Sequence, residues 1–586
     1  MLTPSSPARV FFLQCRRAAQ GWRVREQCRP QRRLVSASAS PATSTSTPTD
    51  KPYYVTTPIF YVNAEPHIGH LYTTILADVL KRWAVLQGDA HASLLTGTDE
   101  HGMKVQKAAE KAGLTPQALC DKNAAHFQDL SRRAQIDYDR FIRTTDPDHK
   151  IAVEYFWKEL RHKDYIYESK HEGWYSVSDE TFYPESQVHL ILDPSSGRKY
   201  QASKETGKEV EWTSEVNYHF RLSAFQDRLL QHYEKHPEFI VPVQRLNFVK
   251  KEVAAGLLDL SVSRPRSRLT WGIPVPEDES QTIYVWLDAL INYLTMTGYP
   301  WQSAEKTNQL WPPNVQVIGK DIVRFHTIYW PAFLMALDLP LPTTFLTHAH
   351  WTMNRAKMSK SSGNGVNPFA AIHRYGLDAI RYFMVHDGGI VDDADYDNSF
   401  IVERYKKGLQ GGIGNLFTRM VRSTKWDIYD SITAMKNRTL SSAYVDFIEK
   451  TVQQVHEHMK RPDPRAGLHA IMSMVYESNR AVVENPPWHL AKQIRDGQRT
   501  KDDQVMFDEI IYMTVETVRI SAIMLQAFMP TSARQILDEL KVDAHHRSLS
   551  HARVGADFSY GRNAMQEKPK RDRTQGLLFP PLISEF

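Results

Sequence analysis

Tyr53-Tyr54-Val55-Thr56-Thr57-Pro58-Ile59-Phe60-Tyr61-Val62-Asn63-Ala64-Glu65-Pro66-His67-Ile68-Gly69-His70 is the stretch from which the fold can be read. Its first five residues are rich in β-branched and aromatic side chains, and a turn containing Pro and Asn follows to Pro66. Ile68, Leu71, Ile75, Val79 and Trp83 then recur at helical spacing, with Gly88 as the stop. Ala92-Ser93-Leu94-Leu95-Thr96 reads as the next strand. Strand, helix, strand is the opening unit of a parallel α/β sheet. A second such unit lies far downstream, with Val315-Gln316-Val317-Ile318 as strand and Asp321 to Leu337 as helix. Between them a polar, turn-rich stretch of about 165–241 reads as an insertion on the sheet. Beyond about Ser399 no strand-like alternation remains, and amphipathic patterns such as Phe507 to Phe528 predict a helical bundle.

Composition frames this reading. The chain has 586 residues, 42% hydrophobic and 24% charged, which excludes a disordered or fibrous protein. The net charge of +5 invites a nucleic-acid partner. Its location says otherwise. Residues 1–49 carry Arg9, Arg16, Arg17, Arg23, Arg25, Arg29, Arg32 and Arg33 against one acid, Glu26, a local +7 that leaves the body near −2. An Arg- and Ser-rich, acid-poor start is the composition of a mitochondrial transit peptide, so residues 1–49 are expected to be leader and linker, and the destination the mitochondrial matrix. A chloroplast leader would share much of this composition. Cys15, Cys28 and Cys120 follow no metal or disulfide spacing. No run of 18 or more apolar residues occurs, so no membrane partner is expected.

Two segments carry chemistry. His67-Ile68-Gly69-His70 stands where a strand hands over to a helix, whose N-terminus offers backbone N–H groups and positive dipole to phosphate. Two histidines three apart add donors, and Gly69 leaves room for a nucleotide. Alone, the four residues would equally suit a surface pair or a metal pair. Lys357-Met358-Ser359-Lys360-Ser361, followed by Ser362 and Gly363, puts two ammonium groups on a small polar loop that can close over a triphosphate.

Together, His67–His70 and Lys357–Ser361 resemble the HIGH and KMSKS signatures of class I aminoacyl-tRNA synthetases. The segments Thr57–Asn63, Leu95–Gly102, Tyr284–Ala289 and Gly319–Ile322 are similar to the methionyl members, notably the bacterial-like kind, and the match runs from Pro52 to about Pro530. The resemblance implies a split Rossmann catalytic domain over 50–398 with an inserted connective subdomain, then an all-α helical-bundle anticodon-binding domain over 399–586. It implies that ATP activates methionine as an adenylate, which then passes to tRNA(Met).

By the same resemblance Ile59, Tyr61, Trp286, Tyr293 and His326 line the side-chain pocket, and Asp99 binds the substrate ammonium. A thioether offers softness and shape rather than hydrogen bonds, which suits such a pocket. Read singly, each aromatic is as well explained by core packing, and Asp99 by a turn. His67, Gly69, His70, Gly319 and Asp321 are expected at ATP, with Lys360 as the main transition-state group and Lys357 assisting. Mg²⁺ is expected to arrive with ATP. Arg264 matches a family arginine of the active-site wall, with a surface arginine as the alternative. Asp288, placed in an aromatic strand, reads as a site group whose partner is open. Asn415 and Arg419 match residues that contact anticodon bases, and Trp488 a stacking tryptophan.

One departure stands out. Many relatives carry cysteine pairs in the insertion, but Gly173–Glu180 and Leu192–Gly197 contain none, so no zinc and no other protein-held metal is expected. The insertion is then left to packing, with Trp174, Tyr175, Phe182 and Tyr183 as candidates. The tail cations Lys568, Lys570, Arg571 and Arg573 read as a solvated cluster, and a monomer is expected. The competing readings are a tRNA-binding paralogue without catalysis and a class I synthetase for another amino acid. The latter would want an editing insertion or zinc ligands.

Overall fold

The computed structural model describes residues 51–176, 181–183, 185–193, 196–204, 206–301, 309–358, 365–440, 442–498, 500–562, 564 and 577–582. The leader, Lys360 with its loop, the Lys357 side chain, the Phe182 side chain and the tail cations lie outside these. Two units form, one from Tyr53–Val85 and Asp89–Asn398, the other from Ser399 onward. No helix among the described residues is long and apolar enough to cross a membrane.

The first unit is organised by a sheet of seven strands, all parallel. These are β1 (Tyr54–Thr56), β2 (Phe60–Tyr61), β3 (Ser93–Asp99), β4 (Arg140–Arg143), β5 (Ile240–Val241), β6 (Val315–Gly319) and β7 (Thr344–His348). Their order is β5-β7-β6-β1-β3, with β2 and β4 both paired to β3. Val55 pairs with Leu94 on β3 and with Val315 on β6. The Tyr54 N–H donates to Asn314 Oδ1, 260 residues further on. Leu94, Leu95, Val317, Ile318, Phe345 and Leu346 are all buried, as befits parallel strands covered on both faces.

Helix α1 (Ile68–Leu86) crosses from β2 to β3 and buries Ile68, Leu71, Ile75, Val79 and Trp83. The insertion is a module of its own. Strands Ile166–Ser176 and Glu211–Phe220 pair antiparallel from Ile166↔Phe220 to Tyr175↔Glu211, and Val188–Leu192 with Lys199–Ser203 forms a separate hairpin. Trp174 and Trp212 face each other across the ladder, edge to face at 5.4 Å.

Two expectations are corrected. Tyr284–Ala289 is not a strand: Tyr284 is the extended cap of α3 (Val285–Leu290), which follows α2 (Pro147–His162) in the chain. All six residues of α3 are buried, so the run carries no alternation, and a short, fully buried run reads alike as helix or strand. Nor is Asp321–Leu337 one continuous helix. It divides into a 3₁₀ turn at Lys320–Ile322, a π-helical turn at Phe325–Tyr329 and an α-helix at Trp330–Ala336. Pro331 has no N–H for the carbonyl four residues back and crowds it, which loosens the turn before it. That carbonyl, Thr327 O, is bonded instead by the Tyr233 hydroxyl at 2.6 Å.

The second unit, among its described residues, consists of helices and connecting loops. Those that matter here are α4 (Asn415–Val421), α5 (Pro464–Glu484), α6 (Pro487–Arg495) and α7 (Lys501–Leu525). Thr500 and Asp503 cap α7 reciprocally.

Candidate active site

A cleft of about 440 Å³ opens beyond the strand ends of the first unit. Ile59, Tyr61, His67, Gly69, His70, Gly319 and Asp321 all line it. The two histidines do more than face the cleft. His67 Nδ1 accepts the Gly69 N–H at 3.1 Å, and His70 Nδ1 accepts the His67 N–H, also at 3.1 Å. Their rings stack at 3.7 Å. This modifies the expectation of open backbone N–H groups, because those of His67 and Gly69 are spent on the rings. A neutral imidazole accepting at Nδ1 carries its proton on Nε2, so the donors shift to the imidazole Nε2–H groups.

Across the cleft, Gly319 ends β6 and Asp321 sits in the following turn. A Cβ on Gly319 would lie 2.7 Å from Asp321 Oδ1, so only glycine lets that carboxylate fold back beside the strand end. His350 Nε2 approaches the same oxygen at 3.3 Å. His348 is buried at the end of β7 and bonds Thr73 of α1 at 2.8 Å. Burial pushes its pKa down to about 4, so it is neutral near pH 7. His348, His350 and Trp351 line the cleft and were missed by sequence reasoning. A His-x-His placed directly after an apolar strand was the available signal.

Beside the cleft is a packed aromatic cluster. Trp286 stacks on Phe325 at 3.5 Å and 9°, and Tyr61 meets Trp286 edge-on at 6.4 Å. Tyr61 and Ile322 border both the cleft and this cluster, which makes the two contiguous. The Tyr293 hydroxyl lies 2.8 Å from His326 Nε2, while His326 Nδ1 faces Ile322 O at 3.0 Å. The carbonyl can only accept, so Nδ1 holds the proton and Nε2 accepts from the phenol. Burial lowers the His326 pKa to about 4, so its ring is neutral near pH 7. Asp99 ends β3, is buried, and its charge contributes to raising the Tyr293 phenol pKa, after burial as the main cause. A carboxylate therefore stands beside a neutral aromatic pair. Phe325, the stacking partner of Trp286, was also missed, although it adjoins His326.

Asp288 has partners that no sequence spacing revealed. Its Oδ2 meets His101 Nδ1 at 2.6 Å and its Oδ1 meets His149 Nε2 at 2.8 Å, with both carboxylate and imidazoles buried. Burial would raise its pKa, but the two histidines prevail and lower it to about 2. The bond fastens the loop after β3, the start of α2, and α3 together. Arg264 is no surface arginine. It is 3% exposed, lies 4.2 Å over the Tyr284 ring and 5.0 Å over Tyr175, and donates to Ser261 Oγ at 2.7 Å.

In the second unit Asn415 opens α4, Arg419 follows one turn later, and the Arg419 guanidinium lies 4.7 Å over the Trp488 ring on α6. All three are partly exposed. Among the described residues, no group of three or more His, Cys, Asp or Glu could hold a metal ion.

A nucleotide-sized cleft at the ends of a split parallel sheet, a histidine-capped helix and an interposed antiparallel module define a class of enzyme. The model for the family "tRNA synthetases class I (M)" matches residues 53–421. The chain is 48% identical to the probable mitochondrial methionine–tRNA ligase of Neurospora crassa, over 97% of this chain and 92% of that one. It is 38% identical to the mitochondrial methionine–tRNA ligase of Candida albicans, over 89% and 95%. Among solved structures it is similar to Mycobacterium tuberculosis methionyl-tRNA synthetase in complex with methionyl-adenylate, with a TM-score of 0.81, 37% identity, and coverage of 91% and 100%. The chain belongs to the class I methionyl-tRNA synthetases.

Proposed function

We propose that the enzyme joins methionine to tRNA(Met) in the mitochondrial matrix, with each step assigned to the residues below. The methionine carboxylate attacks the α-phosphorus of ATP; a carboxyl–phosphorus bond forms and the bond to pyrophosphate breaks. Methionyl-adenylate results, and the tRNA 3′-terminal hydroxyl then displaces AMP. The nucleophile belongs to the substrate, so the protein's part is positioning and charge stabilisation.

The observation that carries this reading is that Tyr61 and Ile322 pack against the aromatic cluster of Trp286 and also line the cleft that holds His67 and His70. Ile59, Tyr61, Trp286, Tyr293 and His326 enclose the thioether, and Asp99 holds the ammonium. The Nε2–H groups of His67 and His70 address the phosphates, and Gly319 and Asp321 the ribose. Lys357 and Lys360 neutralise charge as pyrophosphate departs. Mg²⁺ enters on the triphosphate rather than in a protein cage. Asn415, Arg419 and Trp488 read the anticodon, and the enzyme acts as a monomer.

The test is amino-acid-dependent ATP–pyrophosphate exchange by the purified mature chain. Methionine supports exchange, while leucine, valine and cysteine do not; absence of exchange with methionine refutes the reading. Lys360→Ala lowers the adenylation rate by about 10²-fold or more while methionine affinity stays within a few fold, the pattern of a group acting mainly in the transition state. Equal losses in both would remove Lys360 from that role.

A further inference from the structure

Asn415 stands at the start of α4, directly after a π-helical stretch, Tyr405–Gly414, in which Gly412 departs from helical geometry with φ −88° and ψ −108°. The Gly412 carbonyl is the junction there. It accepts the Asn415 backbone N–H and also the side-chain amide of Asn479 on α5, the latter at 3.1 Å. Asn479 Nδ2 donates a second time, to Val475 O at 3.1 Å. Both of these partners are backbone carbonyls, which can only accept, so the nitrogen of the Asn479 amide has to lie on that side.

The orientation of the second amide follows. Asn479 Oδ1 faces Asn415 at 3.0 Å, and an oxygen there can only accept. Asn415 must therefore meet it with Nδ2, and its own Oδ1 is turned away from Asn479. An asparagine left to itself presents either end of its amide to a base. This one does not, because two carbonyls on other turns decide its orientation through Asn479.

We infer that Asn479 is a positioning residue that fixes Asn415 as a hydrogen-bond acceptor, and so selects an anticodon base bearing its amino group at pyrimidine C4 or purine C6. The inference rests on the anticodon reading proposed above. In a CAU anticodon the cytosine and the adenine carry such a group, and the uracil does not. Exchanging cytosine for uracil, or adenine for guanine, replaces the amino donor with a carbonyl acceptor that the Asn415 oxygen repels. Arg419, one turn further along α4, supplies donors only, so the acceptor function falls to Asn415.

The test uses the full chain and three tRNA(Met) transcripts, with anticodons CAU, UAU and CGU, compared by aminoacylation kcat/KM. Asn479→Leu frees the Asn415 amide to turn, and the CAU/UAU or the CAU/CGU ratio falls at least 10-fold. Asn479→Asp removes both donations to the carbonyls yet keeps an oxygen facing Asn415, so it retains the ratios. Methionine-dependent ATP–pyrophosphate exchange without tRNA is unchanged in both variants. Ratios unaffected by Asn479→Leu, an equal loss on all three transcripts, or the same collapse in Asn479→Asp would each overturn the inference. Asn415→Ala separates the two levels. If it too leaves both ratios intact, the anticodon reading itself fails; if it collapses them while Asn479→Leu does not, only the role of Asn479 fails.

Discussion

Asp288 shows what one buried carboxylate can hold together. Both of its oxygens are engaged by buried imidazoles from distant parts of the chain. Replacing it by alanine strands two buried polar rings, and loss of one side of a buried pair costs about 3–5 kcal/mol. A clear drop in thermal unfolding midpoint is the expected outcome for Asp288→Ala, with a smaller drop for Asp288→Asn. His326 makes the opposite case, a titratable group kept neutral. Its folded pKa of about 4 lies below the ordinary value of 6.5. Between those values the unfolded chain binds a proton that the folded chain refuses. Stability is therefore complete above about 6.5 and is lost as pH falls toward 4, by up to about 1.4 kcal/mol per pH unit for each such histidine. His348 contributes in the same window. Urea unfolding at pH 7 and pH 5 measures the slope, and His326→Gln should make it shallower.

At the scale of elements, how legible a segment was depended on its environment. Helix α1 could be read because one continuous apolar stripe marks it. Ala92–Thr96 could be read as a strand, and β3 spans Ser93–Asp99. Helix α3 could not, since burial on every side erases the period that distinguishes helix from strand. The same holds for the site. His67, His70 and the clustered aromatics were found from the motifs that carry them, whereas His101 and His149 reach Asp288 only through tertiary contact across 187 and 139 residues. In the second unit α7 is pinned by a buried ion pair. Glu516 and Arg519 bond each other, and Arg519 donates to the carbonyls of His551 and Arg553 at 2.9 Å. On α6, the Trp488 ring supports Arg419 rather than filling a core. Trp488→Ala should raise the KM for tRNA about 10-fold, since stacking of one base contributes about 1–3 kcal/mol. Exchange without tRNA should stay at the wild-type level, and its collapse would show Trp488 to be structural.

Taken as a whole molecule, the chain concentrates its positive charge in residues 1–49. The +7 of residues 1–49 leaves a body near −2, so the body's net charge supplies no general attraction for tRNA, and the proposed contacts at Arg419 and Trp488 are local ones. The insertion illustrates a second economy. Its ladder is held by register and by the Trp174–Trp212 contact, and metal analysis of the purified protein should find zinc far below one equivalent. Near-stoichiometric zinc would contradict this.

The pairing of β1 with β6 bears on how the protein comes to exist at all. Strands that lie side by side are separated by some 260 residues, so the sheet cannot close until the chain has been made as far as Val315. Until Val315 is made, the β1 edge that pairs with it stays bare, the kind of surface that invites mispairing. Long-range parallel pairing is intrinsically slow to form. An enzyme built this way needs shielding until its sheet closes, and its demand on chaperones is written into the order of its strands.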